Sequence, residues 1–346
     1  MWKKQRWEKQ MKATIYDVAR EAGVSIAAVS QVINGKGKIS EERRNEIFLV
    51  MARLNYRPSV IAAALTGKKT YTLGLLVPDI SNPFFAEIAH AVEDQGHKLG
   101  YSIVICSTHN EDERIERYLT LLQQKSVDGM IIGTGMDNLE LLSPLVDKSI
   151  PIVSIAREMA SPYVQTVHVG DFEGGKLAAQ HLLELGHTRI AVLAEHLKVS
   201  SSRERIRGFR EALAGAGLEL PEDSVKSGGY DLLRDGKRQT MELLQQEGRP
   251  SALFCCNDLL AIGALQAAKA LGLRVPEDVS IVGFDDTILA SVTDPPLTTI
   301  AQPIEAMGKL AVDLVIAQLA NKAEAKPEQV LKPVLVVRKS TGVINK

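Results

Sequence analysis

"YLTLLQQKSVDGMIIG" (residues 118–133) and "TMELLQQEGRPSALFC" (240–255) write the same local plan twice. In each, a helical pattern ends on Leu-Leu-Gln-Gln, a polar turn follows, and a short apolar run begins. Apolar runs of this length between turn signals mark strands buried on both faces. The echo extends outward in order. "YTLGLLVP" (71–78) is answered by "TRIAVLAE" (188–195), and "IPIVSIAR" (150–157) by "VSIVGFDD" (279–286), at offsets of about 117 to 129 residues. Helical stretches such as "FFAEIAHAVEDQGHKLG" (84–100) and "ERIRGFREALAGAG" (204–217) stand between the strands. Alternating strands and helices predict parallel sheets covered on both faces. The repetition predicts an α/β core of two similar doubly wound lobes. Ligands of such sheets bind beyond the carboxyl ends of the strands, so two facing lobes predict a cleft. The loops "VPDISNPFF" (77–85), "AREMASP" (156–162), "SSSRERIRGF" (200–209) and "CCNDLLAIG" (255–263) carry suitable polar groups.

A different pattern precedes this core. In "TIYDVAREAGVSIAAVSQVINGKGKIS" (14–40), Thr14 is placed to cap a helix through Ala22, with Asp17 in its first turn. Ile15, Val18 and Ala22 share one face, Gly23 permits a tight turn, and Ser25 caps a second helix with Val29, Val32 and Ile33 inward. A third helix from Ser40 carries Ile47, Val50, Met51 and Leu54 at helical spacing. Two helices joined by a short glycine turn, with a third in support, make a small all-α helix-turn-helix domain. The charge agrees with a polyanion partner: residues 1–69 hold 14 Lys/Arg against 6 Asp/Glu, while the chain as a whole has a net charge of −1. "VIAAALTGKK" (60–69) is helix-prone but too short to be stable alone. Leu65, the one large apolar residue near its end, is of the kind that wedges into a minor-groove base step.

Composition excludes several classes. With 45% hydrophobic and 24% charged residues the chain reads as globular. No 18-residue apolar run exists, so no membrane association is expected. The opening "MWKKQRWEKQ" leads into "MKATIYDVAR" rather than an apolar stretch, so it is not a secretory signal, and Met11 is a second candidate start. Three cysteines, Cys106, Cys255 and Cys256, make no disulfide framework and fit a cytoplasmic protein. "GDFEGGKL" (170–177) has the Gly-x₄-Gly-Lys of a phosphate loop but Leu177 where Ser/Thr would bind magnesium. Asp171 is read as a helix cap and Gly174/Gly175 as close packing. The histidines have no metal spacing, and His97 and His187 are read as meeting helix-terminal carbonyls. Without a Gly-x-Ser-x-Gly elbow or a nucleophile beside Asp285/Asp286, no enzyme, metal or cofactor is expected.

From Lys12 onward the chain resembles the lactose/galactose-repressor (LacI/GalR) family of bacterial transcription regulators. The resemblance is carried by "TIYDVAREAGVS", "VSQVING", "LNYRPS", "VPDISNPFFAEI", "VDGMIIG", "GGKLAAQHLLELGHTRIAVL", "RIRGFREAL", "CCNDLLAIGAL", "VPEDVSIVGFDD" and "PPLTTIAQPIEAMG". It implies a helix-turn-helix domain over 11–57, a hinge over 58–69 and a periplasmic-binding-protein-like core over 70–346. Lobe one would take about 70–167 plus 299–329, and lobe two about 168–298 plus 330–346. It also implies a homodimeric repressor on a pseudopalindromic operator in double-stranded DNA, controlled by a small-molecule effector, a sugar or sugar derivative, in the cleft. The alternatives are a protein co-repressor or a solute sensor without a DNA role.

Matched by motif, the resemblance assigns base-edge contacts to Ser25, Ile26, Ala27, Ser30, Gln31 and Asn34. Supporting contacts go to Thr14, Tyr16, Lys38 and Tyr56, and the hinge wedge to Leu65. It assigns effector contacts to Asp79, Asn82, Phe84, Phe85, Arg157, Ser201, Arg205, Tyr230, Asp258 and Gln302. Arg205 and Asp258 would supply paired donors and acceptors to a polyol, with Tyr230 or Phe84 as a flat apolar face. Three positions depart from the family pattern. "AVSQ" (28–31) replaces Thr-Val-Ser-Arg, which exchanges a guanine-reading Arg for a Gln suited to adenine. Ala63 stands where the hinge usually has Arg, and Ala156-Arg157 where Asp-Arg is usual.

Overall fold

Thr14 starts the first helix by a reciprocal cap: its hydroxyl accepts from the Asp17 amide, and the Asp17 carboxylate accepts from the Thr14 amide. The helix that follows, α1 (Ile15–Glu21), ends at a turn through Gly23, whose φ of 61° lies in the left-handed region that favours glycine. Ser25 accepts from the Ala28 amide at 3.2 Å ahead of α2 (Ile26–Ile33), and Ser40 caps α3 (Glu41–Arg53). The three helices close over Val18, Ala19, Ala22, Val29, Val32, Ile47, Val50 and Met51, all buried. Arg53 of α3 reaches Glu21 at the end of α1 at 2.9 Å.

The computed structural model describes residues 13–33, 37, 39–56, 69–136, 138–159, 161–229, 231–321 and 328–344. The chain divides at Thr70/Tyr71 into two compact units, the helical head and the α/β core. Asn34, Lys38, Leu65 and Tyr230, expected at binding positions, and Ala63 of the hinge lie outside the described residues.

In the core, β1 (Thr72–Val77), α4 (Pro83–Lys98), β2 (Ser102–Ser107), α5 (Asp112–Gln124), β3 (Gly129–Ile132), α6 (Ser143–Val146), β4 (Ile152–Ile155) and β5 (Gln165–Val169) build lobe one. Lobe two follows with α7 (Asp171–Glu184), β6 (Ile190–Ala194), α8 (Ser200–Gly215), β7 (Val225–Ser227), α9 (Leu232–Leu244) and β8 (Ala252–Cys255). It continues through α10 (Asp258–Ala270), β9 (Ser280–Asp285), α11 (Ile288–Val292) and β10 (Thr298–Ala301). The chain then returns to lobe one with α12 (Ile304–Leu319) and β11 (Glu328–Leu331), and ends in lobe two with β12 (Val334–Val336). The sheet orders are β2-β1-β3-β4-β5-β11 and β7-β6-β8-β9-β10-β12. Their first five strands follow one another in the same order, which is the internal echo of the sequence made spatial. Among the described residues every pairing is parallel except β10 with β12.

Both faces of each sheet are covered. Leu73, Leu75 and Val77 of β1 pack with Ile88 and Val92 of α4 and Val312 of α12, while Leu76 packs on the opposite face with Ile115 and Leu122 of α5. Period-two geometry therefore sends a nearly continuous apolar run into two cores.

The crossovers between lobes fall at Gly170, at residues 302–303 and at residues 332–333. Each lies a few residues beyond its expected position, because the strands run on into the connections. The expected boundary after 298 would cut β10, whose Thr299–Ala301 segment pairs with β12. His187 also differs from its expected role. It is buried, with Nδ1 2.9 Å from Ser251 Oγ and Nε2 3.0 Å from the Gly342 carbonyl, so it ties the carboxyl-terminal tail to lobe two.

Helices α7 and α8 approach with their backbones nearly touching. A Cβ at Gly175 would fall on the Arg205 carbonyl, and one at Gly208 on the Phe172 carbonyl. Gly174 faces the Phe284 ring, so the pair 174/175 is close packing as its sequence implied. Alanine in place of a mid-helix glycine ordinarily gains up to about 1 kcal/mol. Overlap with fixed backbone costs about 1–3 kcal/mol, so Gly208→Ala is expected to lower the urea midpoint of the core. A raised midpoint would contradict this packing.

Candidate DNA-reading face and ligand cleft

On the helical head, packing decides which residues remain available. Val29 and Val32 of α2 point into the core, which turns Ser25, Ile26, Ala27 and Gln31 outward, all exposed, with Ser30 half-buried beside them. Tyr16 is 68% exposed and Thr14 is exposed at the start of α1. The described residues expected to meet DNA are therefore exposed, apart from half-buried Ser30 and Tyr56. That ring is half-buried against the three-helix core, and burial raises its phenol pKa, so much of its surface serves packing. Gly37 was not anticipated. Its φ is 95°, and a Cβ there would stand 2.6 Å from Gln31 Oε1, so glycine at 37 leaves room for the Gln31 amide.

In the core, the strand ends of the two lobes face each other across a cleft. A cavity of about 670 Å³ is lined from lobe one by Asp79, Asn82, Phe85, Asn110 and Arg157, and from lobe two by Glu195, Asp231 and Leu232. It meets a narrower inner recess lined by Phe84, Ser201, Arg205, Asn257, Asp285 and Gln302. A side cavity of about 300 Å³ opens beyond Arg157, towards Lys198 and Arg203.

Arg205 is the fixed point of the recess. Only 5% exposed, its Nε donates to Asp171 Oδ1 at 2.7 Å, its Nη1 donates to the Cys256 carbonyl, and its guanidinium lies 3.6 Å from the Phe284 ring centre. Asp285 Oδ1 stands 3.7 Å from Nη1 and accepts from Gln302 Nε2 at 2.7 Å. Burial alone would lower the Arg205 pKa, but the Asp171 and Asp285 carboxylates overcome it and hold the side chain charged. Burial pushes Asp285 well above the usual carboxylate range, opposed by Arg205 and reinforced by Asp258. Asp285 and Asp286 both adopt positive φ, 122° and 57°, a local strain of the kind found at binding sites.

Asn82 is the N-cap of α4, its Oδ1 accepting from the Phe84 amide at 3.1 Å. Phe84 and Phe85 meet edge-on, with ring centres 5.0 Å apart. Asp79 is folded onto Ser81, which donates to it from both amide and hydroxyl. Asp79, Asn82, Phe84, Phe85, Arg157, Ser201, Arg205 and Gln302 thus come together at the cleft as expected positions.

Asp258 does not join them. It is 1% exposed, behind the wall, with Oδ2 accepting from the Thr287 amide and hydroxyl and Oδ1 accepting from Thr299 at 2.7 Å. Its neighbour Asn257 lines the recess instead, and the acidic partner of Arg205 at the recess is Asp285. Asp171 is likewise not the helix cap. The N-cap is Gly170, and Asp171 in the first turn pairs with Arg205. Glu195, Asn110, Asn257 and Asp285 were missed by reading the sequence. Glu195, Asn257 and Asp285 stand at or just past the carboxyl ends of β6, β8 and β9, which is the signal that locates them.

This architecture defines a class: a DNA-binding helix-turn-helix head carried on a two-lobed binding core. The family model for bacterial regulatory proteins of the lacI family matches residues 14–59, and that for the periplasmic binding protein-like domain matches 179–341. HTH-type transcriptional regulator DegA of Bacillus subtilis (strain 168) is 43% identical over 338 residues, 97% of this chain and 100% of that protein. Among solved structures, the Lac repressor dimer bound to operator and the anti-inducer ONPF superposes with a TM-score of 0.85 at 31% identity, covering 95% of this chain and 99% of that one. A LacI family transcriptional regulator from Enterococcus faecium with bound ribose gives 0.73 at 31% identity, covering 79% and 100%. The chain belongs to the LacI family: it is a DNA-binding transcriptional repressor and not an enzyme.

Burial pushes the Asp258 carboxyl up to about 6; the hydrogen bonds from Thr299 and Thr287 pull it down, and Asp286 adds to the push. A carboxyl whose folded pKa exceeds its unfolded one binds more protons when folded, so its contribution to stability is lost as pH rises from about 4 through about 6. Asp258→Asn removes that titration. Chemical denaturation from pH 4 to 8 is expected to show the variant gaining on the parent across that window and running parallel above it. Parallel curves throughout would contradict the placement of Asp258.

Proposed function

We propose that this chain acts in the cytoplasm as a homodimer on a pseudopalindromic operator, and that a sugar or sugar derivative in the cleft sets its DNA affinity. The observation that carries the DNA reading is the face of α2. Ser25, Ile26, Ala27 and Gln31 are exposed while Val29 and Val32 are spent on the core, which suits a recognition helix in a major groove. A single head contacts too few bases for useful specificity. Two heads about a two-fold axis read half-sites roughly 34–36 Å apart or a multiple of that. The segment 58–69 is the hinge between head and core, with Leu65 as its wedge.

The sugar reading is supported by the cleft chemistry. Arg205, Asp285, Gln302 and Asn257 offer paired donors and acceptors beside the Phe84 and Phe85 rings, and a neighbour of similar fold holds ribose. Ligand between the lobes changes their closure, since the lobes are joined by three crossovers and by local contacts such as Glu87 Oε1 accepting from the Ile288 amide at 2.8 Å. Closure then biases the hinges. A coupling of about 1–3 kcal/mol is sufficient for a regulatory response.

Selection of bound duplexes from a random pool at a fixed near-physiological salt tests the DNA half of the proposal. A two-fold symmetric site is expected, with adenine favoured at the position Gln31 reads, and Gln31→Arg is expected to move that preference to guanine. An enriched site without symmetry, or no change of base preference in the variant, would count against it.

A further inference from the structure

Three amide side chains in the cleft are oriented by their neighbours to present donors, and the Arg157 guanidinium adds a fourth donor group. Asn110 Oδ1 accepts from Thr134 Oγ1 and the Gly135 amide, both at 3.0 Å, which leaves Nδ2 as the end for the cavity. Asn82 Oδ1 is taken by the Phe84 amide and Asn257 Oδ1 by the Leu260 amide at 2.9 Å, so each again offers Nδ2. Arg157 lines all three parts of the cleft, and its guanidinium has no hydrogen-bond or ion-pair partner among the described residues.

Charge is divided along the same axis. The large cavity is ringed by Asp79, Glu111, Glu195 and Asp231. Among the described residues, the side cavity is lined by the cations Arg157, Lys198 and Arg203 and by one carboxylate, Glu158, whose side chain is exposed. Arg203 is held in place by donating to the Leu197 and Lys198 carbonyls at 2.8 and 2.7 Å. A neutral polyol would leave the Arg157 guanidinium unmatched on the wall between the recess and this cationic side cavity. An anionic group there gains charge-assisted hydrogen bonds from the guanidinium fork.

We infer that the ligand is an acidic sugar, whose hydroxyls occupy the recess at Arg205, Asp285 and Gln302 and whose carboxylate or phosphate lies in the side cavity against Arg157. The inference rests on the sugar reading of the cleft and narrows its chemistry. Bound amide ends then meet ligand oxygens that accept, and Glu195 and Asp285 accept from ligand hydroxyls, so each end of the cleft meets groups of complementary charge or polarity.

Calorimetric titration of the full-length protein at one ionic strength tests this with D-glucose, D-gluconate, D-glucuronate and D-glucose 6-phosphate, and with D-fructose against D-fructose 6-phosphate. At least one acidic compound is expected to bind tenfold or more tighter than its neutral parent, and whether carboxylates or phosphates lead identifies the anion. Arg157 is half-exposed, so Arg157→Gln is expected to fold and to erase the preference, while Arg157→Lys keeps part of it and remains salt-sensitive. A neutral parent binding as tightly as its acidic derivative, or a full preference surviving in Arg157→Gln, overturns the acidic-sugar inference and leaves the sugar reading standing. Binding by neither class overturns both.

Discussion

One buried cation governs the ligand-binding half of this protein. Removing a guanidinium from water costs several kcal/mol, and only close opposite charge with good hydrogen bonds offsets it. Arg205 obtains these from three directions at once: Asp171 in the first turn of α7, the Cys256 carbonyl after β8, and Asp285 at the end of β9, with Phe284 stacked beneath. Each partner must be delivered to within hydrogen-bond reach, which fixes where α7 starts and how β8 and β9 end. Gly175 and Gly208 follow from the same demand, since Arg205 reaches Asp171 only if α7 and α8 approach to backbone contact. Burial raises the pKa of Asp285 well above the usual carboxylate range, and Arg205 opposes that rise, so the two hold each other in the recess. The recess is thus an ordered set of donors and acceptors before any ligand arrives.

The fold was legible because its signals are redundant. Strand runs such as "YTLGLLVP" and "TRIAVLAE" are apolar on both faces, the helices between them are amphipathic, and the whole plan occurs twice. The head was legible for the same reason: Thr14, Gly23, Ser25 and Ser40 cap or turn where helical spacing places them. The contact positions on α2 came from the family motif, and packing is consistent with them: Val29 and Val32 are buried while Ser25, Ile26, Ala27 and Gln31 are exposed.

The cleft was legible to within a residue or two, and the errors have a common physical origin. "CCNDLL" offers two polar neighbours at a strand end, and sequence alone does not say which side chain points outward. The backbone sends Asn257 to the recess and Asp258 inward, where Thr287 and Thr299 satisfy it. Asp171 looks like a cap in one dimension; the arginine that claims it is 34 positions away in sequence. His187 meets a serine and a carboxyl-terminal carbonyl for the same reason: its partners are distant in the chain. Long-range pairing of buried polar groups is set by tertiary geometry, and local patterns carry little of it.

The central claim is that the recess around Arg205 and the face of α2 belong to one coupled device. Fluorescence anisotropy of a selected operator duplex, titrated with protein at fixed salt across a panel of neutral and acidic sugars, tests it most directly. The account predicts that at least one compound shifts operator affinity by about 5- to 150-fold, and that Asp285→Asn, which disturbs the recess without touching the head, greatly reduces that shift. A panel that leaves operator affinity unmoved, or a shift of equal size in Asp285→Asn, would contradict it.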